Sequence, residues 1–517
     1  MLIDVTVNEM LLITSGAYIS QELRCEFGRL PPAFLPVANR KLLELQINLI
    51  RRTFPEEQIY ISIPKSFYEK IKKDDIEKDI KVISVPDGKN ILESILFCLL
   101  KSDIYNDGVH RGFCGEVKIL HGDTLFDKLP IGGDICTYSK KIMNYDWGFT
   151  DDSRKYIYTG YFSFSNIKTL ISALVENCWR GGDFEDVIKY YTTHHPICYD
   201  DSSSWYDFGH LNSYFESRSR LTTERAFNKI EVKNGILWKT GNPQKKIEAE
   251  ASWFMEIPEV LKLYTPQFLG IKEKNKKKWY GVEYLPFIPM NEIFVHGDWE
   301  NENFSNVLAQ ILGVLELFSE KCGIKISREK TENIYIKKTN ERLRKLKEEQ
   351  PNVFKFFLDF FGKERLEDCF KKTMELQILS GVLHGDMCFS NILYSSRGER
   401  IKFIDPRGLD GDGNFSIYGD QKYDLAKVLH SLVGMYDYII AGKYKIFDGK
   451  IEFSISESLL SIQADFLKKE FHGLKMIDIM PVVVLLFISM LPLHSDREDR
   501  QYAFVLNARR IYDKYVK

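Results

Sequence analysis

The sequence predicts two domains of different class. An α/β domain on a mixed, mostly parallel sheet spans residues 1–225, and an α+β bilobal domain spans residues 226–517. Three observations carry this. A chain of 517 residues is longer than one hydrophobic core usually fills. Apolar strand-like runs alternate with helix-like segments until shortly before residue 226. The alternation then stops, and a tight hairpin signal opens the second half.

Composition narrows the function classes. Hydrophobic residues make up 44% and aromatic residues 13%, as in a well-packed globular protein. A net charge of -2 gives no reason to expect nucleic acid or an anionic membrane surface as a partner. The nine cysteines (25, 98, 114, 136, 178, 198, 322, 369 and 388) form no CxxC pair, which fits buried thiols in a reducing compartment. The opening MLIDVTVNEM carries Asp4 and Glu9 and lacks the pattern of a signal peptide. The most apolar run, residues 480–493, has a proline near each end and is too short for a bilayer, so a buried helix is expected. A cytoplasmic enzyme with a small-molecule substrate is the expectation, and the oligomeric state is left open.

In the first half, residues 10–14 read as a buried strand entering Ser15-Gly16, and residues 41–52 as a helix. Strands at 58–63 and 80–85 precede a helix at 89–100. Val117-Lys118-Ile119-Leu120 then runs into His121-Gly122-Asp123, and residues 213–224 read as a closing helix. Parallel strands of this kind place ligands at their carboxyl ends.

This half resembles the sugar-phosphate nucleotidyltransferases, whose fold is Rossmann-like. The resemblance rests on the Leu35-Pro36-Val37-Ala38-Asn39-Arg40-Lys41-Leu42-Leu43 segment, on Leu120-His121-Gly122-Asp123, and on Trp205-Tyr206-Asp207-Phe208-Gly209, with Tyr158-Thr159-Gly160-Tyr161-Phe162 matching the strand that lines the sugar pocket. It implies that Asp123 and Asp207 hold Mg²⁺ where a sugar phosphate meets the α-phosphate of a nucleoside triphosphate, because two carboxylates and a cation offset the repulsion there. The family's glycine-rich opening loop is reduced here to Gly16, and Pro32 replaces the usual lysine. Arg24, Arg29 or Lys41 would supply the missing positive charge.

The second half opens with strands at 227–232 and 236–240 around Lys233-Asn234-Gly235, and the boundary is set near Ala226. A helix beginning at Lys245 follows, then an apolar strand, Trp279 to Leu285, entering Pro286. Downstream lies His384-Gly385-Asp386, with Asn391 five residues later and Asp405 fourteen after that, on two short strands joined by Ser395-Ser396-Arg397-Gly398. A hairpin holds those three polar groups at one mouth. Phosphoryl transfer needs that set: one carboxylate to orient the attacking hydroxyl, and an amide oxygen with a second carboxylate to hold magnesium on the nucleotide phosphates.

These residues resemble the aminoglycoside phosphotransferase and choline kinase family, a small-molecule branch of the protein-kinase-like fold, with lobes at about 226–290 and 291–517. The resemblance implies Asp386 as catalytic base, Asn391 and Asp405 as metal ligands, and ATP as phosphoryl donor. Lys239 would contact the phosphates and pair with Glu250, or alternatively Glu248. The backbone from Glu283 to Leu285 would hold adenine. His384 and Asp424, the latter in Asp424-Leu425-Ala426, would brace the loop. His-Gly-Asp in place of His-Arg-Asp, and Asp405-Pro406-Arg407 in place of Asp-Phe-Gly, argue against a protein substrate. His296-Gly297-Asp298 with Asn303 repeats the spacing, but a helix pattern rather than a strand follows, so Asp298 reads as a helix-entry residue. Residues 325–361 read as solvated helix. Together the halves imply a bifunctional enzyme that phosphorylates a sugar, polyol or amino alcohol and joins the phosphate to a nucleoside monophosphate from CTP or another NTP, for surface polysaccharides. The alternative is a kinase whose first domain only binds.

Overall fold

The computed structural model describes residues 9–71, 76–102, 115–139, 156–221, 228–299 and 301–517. The expected boundary at Ala226 and most of the opening MLIDVTVNEM lie outside these residues. The chain divides into two compact units, Met1–Leu221 with His296–Asp298, and Thr222–Val295 with Trp299–Lys517.

In the first unit, β1 (Met10–Thr14) is apolar and buried along its whole length, the pattern of a strand covered on both faces. Helices α1 (Gln21–Phe27) and α2 (Leu42–Thr53) follow, then β2 (Gln58–Pro64) and β3 (Lys81–Val85). Next come α3 (Ile91–Lys101), started by an Asn90–Glu93 capping box, then β4 (Val117–His121) and β5 (Thr124–Phe126). The unit ends with β6 (Ile135–Ser139), β7 (Ile157–Phe164), α4 (Ile167–Arg180), α5 (Phe184–Thr192), β8 (Cys198–Asp200), β9 (Trp205–Asp207) and α6 (Leu211–Arg220).

Seven strands form one sheet in the order β8-β6-β7-β4-β1-β2-β3. Four neighbouring pairs are parallel, and β7 runs antiparallel to both β4 and β6. The sheet is therefore mixed. Beside it, β9 pairs antiparallel with β5, so that Asp207 lies across from Thr124. The closing helix runs from Leu211 to Arg220, and the expected continuation beyond residue 221 lies outside the described residues.

A buried lysine on β4 gives this unit a pH signature. Lys118 Nζ lies 2.6 Å from Glu57, 3.0 Å from Glu116 and 3.6 Å from Glu9, three carboxylates around one ammonium. Burial pushes the Glu57 carboxyl up to about 7, against the pull of Lys118. An acid raised in this way stabilises the fold below its unfolded pKa, and that contribution is lost as pH rises through about 7. Glu57→Gln should leave the melting temperature little changed below pH ~5 and raise it above pH ~8, by at most about 3 kcal/mol of stability. Thermal unfolding at both pH values checks this.

The second unit begins with β10 (Asn228–Lys233) and β11 (Ile236–Gly241), then α7 (Gln244–Glu256), β12 (Phe268–Lys274) and β13 (Lys277–Glu283). These four strands form an antiparallel sheet in the order β10-β11-β13-β12. Asn234 and Gly235, both at positive φ, turn the first hairpin, the backbone form that an Asn-Gly pair accepts readily. Directly opposed residues on antiparallel strands share a face, and the register sets Lys239 across from Tyr280.

After β14 (Ile288–Pro289) the unit is mostly helical. Helix α8 (Asn301–Glu320) buries Val307, Leu308, Ile311 and Leu315, the spacing of a helix face. Asp298 precedes that helix, as its sequence context predicts. Residues 328–349 form one helical run, a π-helical turn at Asn333–Lys337 leading into α9 (Lys338–Glu349). Then come β15 (Ser380–Val382), β16 (Ile392–Ser395), β17 (Arg400–Phe403) and β18 (Tyr418–Asp420). Asn391 belongs to a short 3₁₀ turn before β16 rather than to the strand. Helix α10 (Lys422–Leu432) follows β18, and every residue of α11 (Met480–Ser489) is buried; the helix is shorter than the expected 480–493, a 3₁₀ turn at Leu491–His494 following it with Leu493 exposed. Among the described residues no helix is long and apolar enough to cross a membrane, and eight of the nine cysteines are free thiols there.

Candidate functional site

The second unit assembles one polar centre from strands β11 and β13, helices α7 and α10, and the loops that carry Asp386 and Asp405. Lys239, from β11, is buried and reaches two carboxylates: Glu250 Oε2 of α7 at 2.8 Å and Asp405 Oδ1 at 2.9 Å. Tyr280, across the register from Lys239, donates its hydroxyl to the same Glu250 oxygen at 2.8 Å. Burial works against the Lys239 ammonium, but Asp405 and Glu250 outweigh it and hold its pKa above the ordinary value. Glu248, the alternative partner, pairs instead with Lys278 at 2.6 Å. Position along α7 explains the difference: Glu250 lies on the buried face with Trp253 and Phe254, and Glu248 does not.

The turn between β15 and β16 carries the rest. Asp424, fully buried on α10, accepts the backbone N–H groups of His384 and Gly385, each at 2.7 Å. Burial pushes its carboxyl up to about 7 against those two donors. His384 is buried against Trp253 and Phe403, and its Nδ1 accepts the Asp386 N–H at 3.3 Å. Burial lowers its pKa to about 4, so it is a neutral spacer with no proton to trade near neutral pH. Gly385 takes φ +79°, and a Cβ there would lie 2.8 Å from Arg407 Cβ, so both backbone and space require glycine. The indole N–H of Trp253 donates to Leu383 O at 2.8 Å and ties α7 to this turn.

Asp386 therefore sits on a loop fixed at both sides. Asn391 Nδ2 donates to the Asp386 carbonyl at 2.8 Å and to its Oδ2 at 3.1 Å. Lys427 Nζ, one helical turn beyond Tyr423 on α10, reaches Asp386 Oδ1 at 2.8 Å. Burial alone would raise the Asp386 pKa; the charge and hydrogen bond of Lys427, with Arg407, reverse this and hold it well below the usual carboxylate range. The Asp386 side chain is still 41% exposed, open to an incoming hydroxyl.

The residues fit a magnesium–nucleotide site. The Asn391 side-chain N–H groups are turned to Asp386, and its Oδ1 takes only a long 3.5 Å contact from the Ser390 hydroxyl, one that a hard cation would displace. Among the described residues no cluster of three or more His, Cys, Asp or Glu side chains could hold a metal by itself. Glu283 ends β13; its side-chain Oε2 accepts the Gln267 N–H at 3.3 Å and its own N–H donates to Gln267 O at 2.9 Å, while the Tyr284 N–H donates to Gly235 O at 2.8 Å.

In the first unit, Asp123 follows β4 and Asp207 ends β9. Both carboxylates border the space next to Gly209, where a Cβ would lie 2.6 Å from Asp123 Oδ2 and 3.3 Å from Asp207 Oδ1. The Phe208 N–H donates to Asp123 O at 2.8 Å, and His210 Nδ1 lies 3.2 Å from Asp207 Oδ2. Burial, then the charge of Asp207, pushes the Asp123 carboxyl up to about 6, and the hydrogen bond to Asp207 raises the pKa of His210. Two crowded carboxylates would offer a divalent cation two oxygen ligands, the rest of its shell coming from phosphate oxygens and water. The turn is pinned by Gln46 of α2, whose Nε2 donates to His121 O at 2.9 Å and Thr124 O at 2.7 Å.

The loop after β1 departs from a phosphate cradle. A Cβ on Gly16 would meet Ser94 Oγ of α3 at 2.3 Å, so that glycine serves close packing against a helix. Arg24 Nε donates to Ile19 O at 2.9 Å, and the Arg29 guanidinium stacks 4.1 Å above the Tyr18 ring. Neither arginine pairs with Asp123 or Asp207 among the described residues. Lys41 is buried, its Nζ 4.9 Å from the Phe34 ring centroid.

No protein-family model matches the chain, and no curated protein matches it. It is similar to solved structures. The GDP complex of wild-type aminoglycoside 2'-phosphotransferase-IIIa is 14% identical over 56% of this chain and 91% of that one, with a TM-score of 0.37. A choline kinase from Streptococcus pneumoniae is 14% identical over 57% and 92%, with a TM-score of 0.35. A nucleoside-diphosphate-sugar pyrophosphorylase from Vibrio cholerae RC9 is 12% identical over 40% and 99%, with a TM-score of 0.31.

Sequence reasoning missed Lys427, Gln46 and the inward face of α9. The run at 325–361 reads as solvated because its charges alternate, but Lys338 and Arg342 turn toward Tyr423 and the rest of the polar centre, and neither has a carboxylate partner among the described residues. Their spacing of four residues was the one available signal.

Proposed function

We propose that this chain is a bifunctional enzyme. Its second unit transfers the γ-phosphate of ATP to a hydroxyl of a small molecule, and its first joins that phosphate to a nucleoside monophosphate with release of pyrophosphate. The observation that carries the reading is the buried Lys239–Glu250–Asp405 chain beside the Asp386–Asn391 pair, two charge systems with no packing role that repays their desolvation.

In the first reaction the acceptor oxygen attacks the γ-phosphorus, Asp386 takes the hydroxyl proton, and ADP leaves. Lys239 grips the donor phosphates, oriented by Glu250. Asn391 and Asp405 would hold Mg²⁺, which supplies charge neutralisation on the phosphates. In the second, a phosphate oxygen of the new ester attacks the α-phosphorus of CTP or another NTP, and pyrophosphate leaves. Asp123 and Asp207 would hold the cation for that step. NDP-linked products of this kind serve the building of surface polysaccharides, and the enzyme would work in the cytoplasm.

A second reading is favoured by the loop after β1. With Gly16 packed on Ser94 and the two arginines engaged elsewhere, that loop offers few free donors to a triphosphate, which fits a first unit that binds without turning over. Mass spectrometry decides. The purified chain is given Mg²⁺, ATP, the four other triphosphates and pools of sugars, polyols, amino alcohols and their acids. An NDP-linked product with pyrophosphate is the expected result. A phosphorylated acceptor that goes no further supports the second reading, and no ATP consumption with any acceptor refutes the kinase.

A further inference from the structure

The polar centre of the second unit carries more positive charge than its carboxylates answer. Tyr423 of α10 is the hub. Arg407 donates to its hydroxyl at 2.6 Å and lies 4.3 Å over its ring. Lys338 Nζ approaches the same ring at 5.6 Å, Arg342 follows one turn later on α9, and Lys427 stands one turn after Tyr423 against Asp386.

The carboxylates that could balance these cations are spoken for. Asp420 pairs with Lys422 at 2.6 Å, Asp424 takes two backbone N–H groups, Asp410 faces Lys330, and Asp412 accepts from Asn333. Among the described residues Asp386 and Asp424 are the carboxylates whose charge reaches Arg407, and Lys427 already occupies the first. Arg342 spends one N–H on Ser489 O at 3.0 Å, and Lys338 and Arg407 have no carboxylate within ion-pair distance among the described residues. The imbalance is felt locally: burial and then the neighbouring Arg407 push the Lys338 ammonium down to about 7, and despite burial the surrounding cations, Arg407 first, bring the Tyr423 phenol down to about 7. All four cationic side chains are partly exposed, and the charges of Lys427, Arg407 and Arg342 reach Asp386. Uncompensated cations cost stability, and a fold keeps such a set where an anion arrives to complete it.

We infer that Lys338, Arg342 and Arg407 form an anion subsite for the acceptor, so the phosphorylated alcohol carries a carboxylate or a phosphate ester of its own. This rests on the kinase reading above and narrows it. A positively charged wall beside the catalytic base repels amino alcohols and favours hydroxy acids, uronic acids or phosphorylated polyols. Their oxyanion would dock on the guanidinium and ammonium groups while a hydroxyl reaches Asp386.

The test uses the full chain loaded with Mg²⁺ and the non-hydrolysable ATP analogue AMP-PNP, so that the γ-phosphate position is filled. Calorimetric titration then compares malonate, methyl phosphate, glycerol and choline at constant ionic strength. Malonate or methyl phosphate should bind at least about tenfold more tightly than glycerol or choline, and Lys338→Met should weaken that anion by about tenfold. Which of the two anions binds better separates a carboxylate acceptor from a phosphate acceptor. The melting temperature of Lys338→Met should stay level or rise, because an unpaired charge is removed; Arg342→Gln serves as the second variant, read the same way.

Choline binding as tightly as malonate, or neither anion binding, overturns the inference. So does a Lys338→Met chain that melts earlier yet keeps its anion affinity, since the lysine is then structural. A variant that loses affinity for AMP-PNP relative to ADP, with malonate unaffected, assigns the cluster to the donor γ-phosphate and also overturns it. Failure of the unaltered chain to bind Mg·ADP strikes the kinase reading itself, a different result from any of these.

Discussion

Asp386→Asn should lower ATP-dependent phosphoryl transfer by about 10²- to 10⁴-fold, the usual size of a general-base contribution. The amide is close in shape, its one oxygen can still accept from Lys427, and Asn391 keeps its bond to the backbone carbonyl of residue 386, so the fold and the affinity for Mg·ADP should survive. It cannot take the acceptor's proton. Release of pyrophosphate from CTP or another NTP, with a phosphorylated acceptor supplied, should be unchanged if that chemistry belongs to the other unit as proposed. The pH profile gives a second reading. Asp386 is held well below the usual carboxylate range by Lys427 and Arg407, so it stays ionised across the working range and sets no acid limb. Lys427→Met removes the nearer cation, raises the Asp386 pKa, and should bring an acid limb into view as pH falls. Steady-state kinetics between pH ~5 and ~8 measure both effects. An Asp386→Asn chain that phosphorylates its acceptor at the original rate would disprove the assignment of the base.

Asp207→Ala should remove nucleotidyl transfer, by about 10³-fold or more if the cation is lost, and leave phosphorylation of the acceptor intact. The geometry predicts more than a simple loss. Asp207 is one of the two causes that raise the Asp123 carboxyl to about 6, and burial is the larger. Removing Asp207 should bring the Asp123 pKa part of the way down, so that Asp123 is ionised at a lower pH but without a partner to share a cation. Manganese binding, followed by relaxation enhancement of water protons, would therefore weaken even where Asp123 is fully charged. If Asp207→Ala and Asp123→Ala both leave pyrophosphate release at its original rate, these two carboxylates do not hold the cation for that step; if the unaltered chain releases none, the first unit binds and does not catalyse.

The parts of this centre that were legible in the sequence are those set by local spacing. Asp386, Asn391 and Asp405 lie on one short hairpin, so their separation along the chain is close to their separation in space. Glu250 over Glu248 was legible too, because a helix face is periodic and Trp253 and Phe254 mark which side is buried. Asp424 was readable from the start of its helix, and the structure supplies the two N–H groups it receives. What was not legible depends on elements that meet only after folding. Lys427 sits one helical turn from Tyr423, and nothing in that helix says Asp386 will be opposite. Gln46 looks like an ordinary polar residue on an amphipathic helix until its amide bridges two carbonyls some 75 residues away. Lys338 and Arg342 were hidden by composition: in a segment rich in both signs, a lysine facing inward reads the same as one facing water.

The single hydrogen bond from the Trp253 indole to the Leu383 carbonyl has an evolutionary corollary. It joins the helix that aims Lys239 to the turn that presents Asp386, so a descendant of this gene cannot retune one without answering for the other. Phenylalanine at 253 would keep the ring but orphan the carbonyl, and a smaller residue would lose both. Drift toward new acceptors should therefore be recorded around Lys338 and Arg342, on a helix that this bond does not touch, while position 253 stays silent through the divergence.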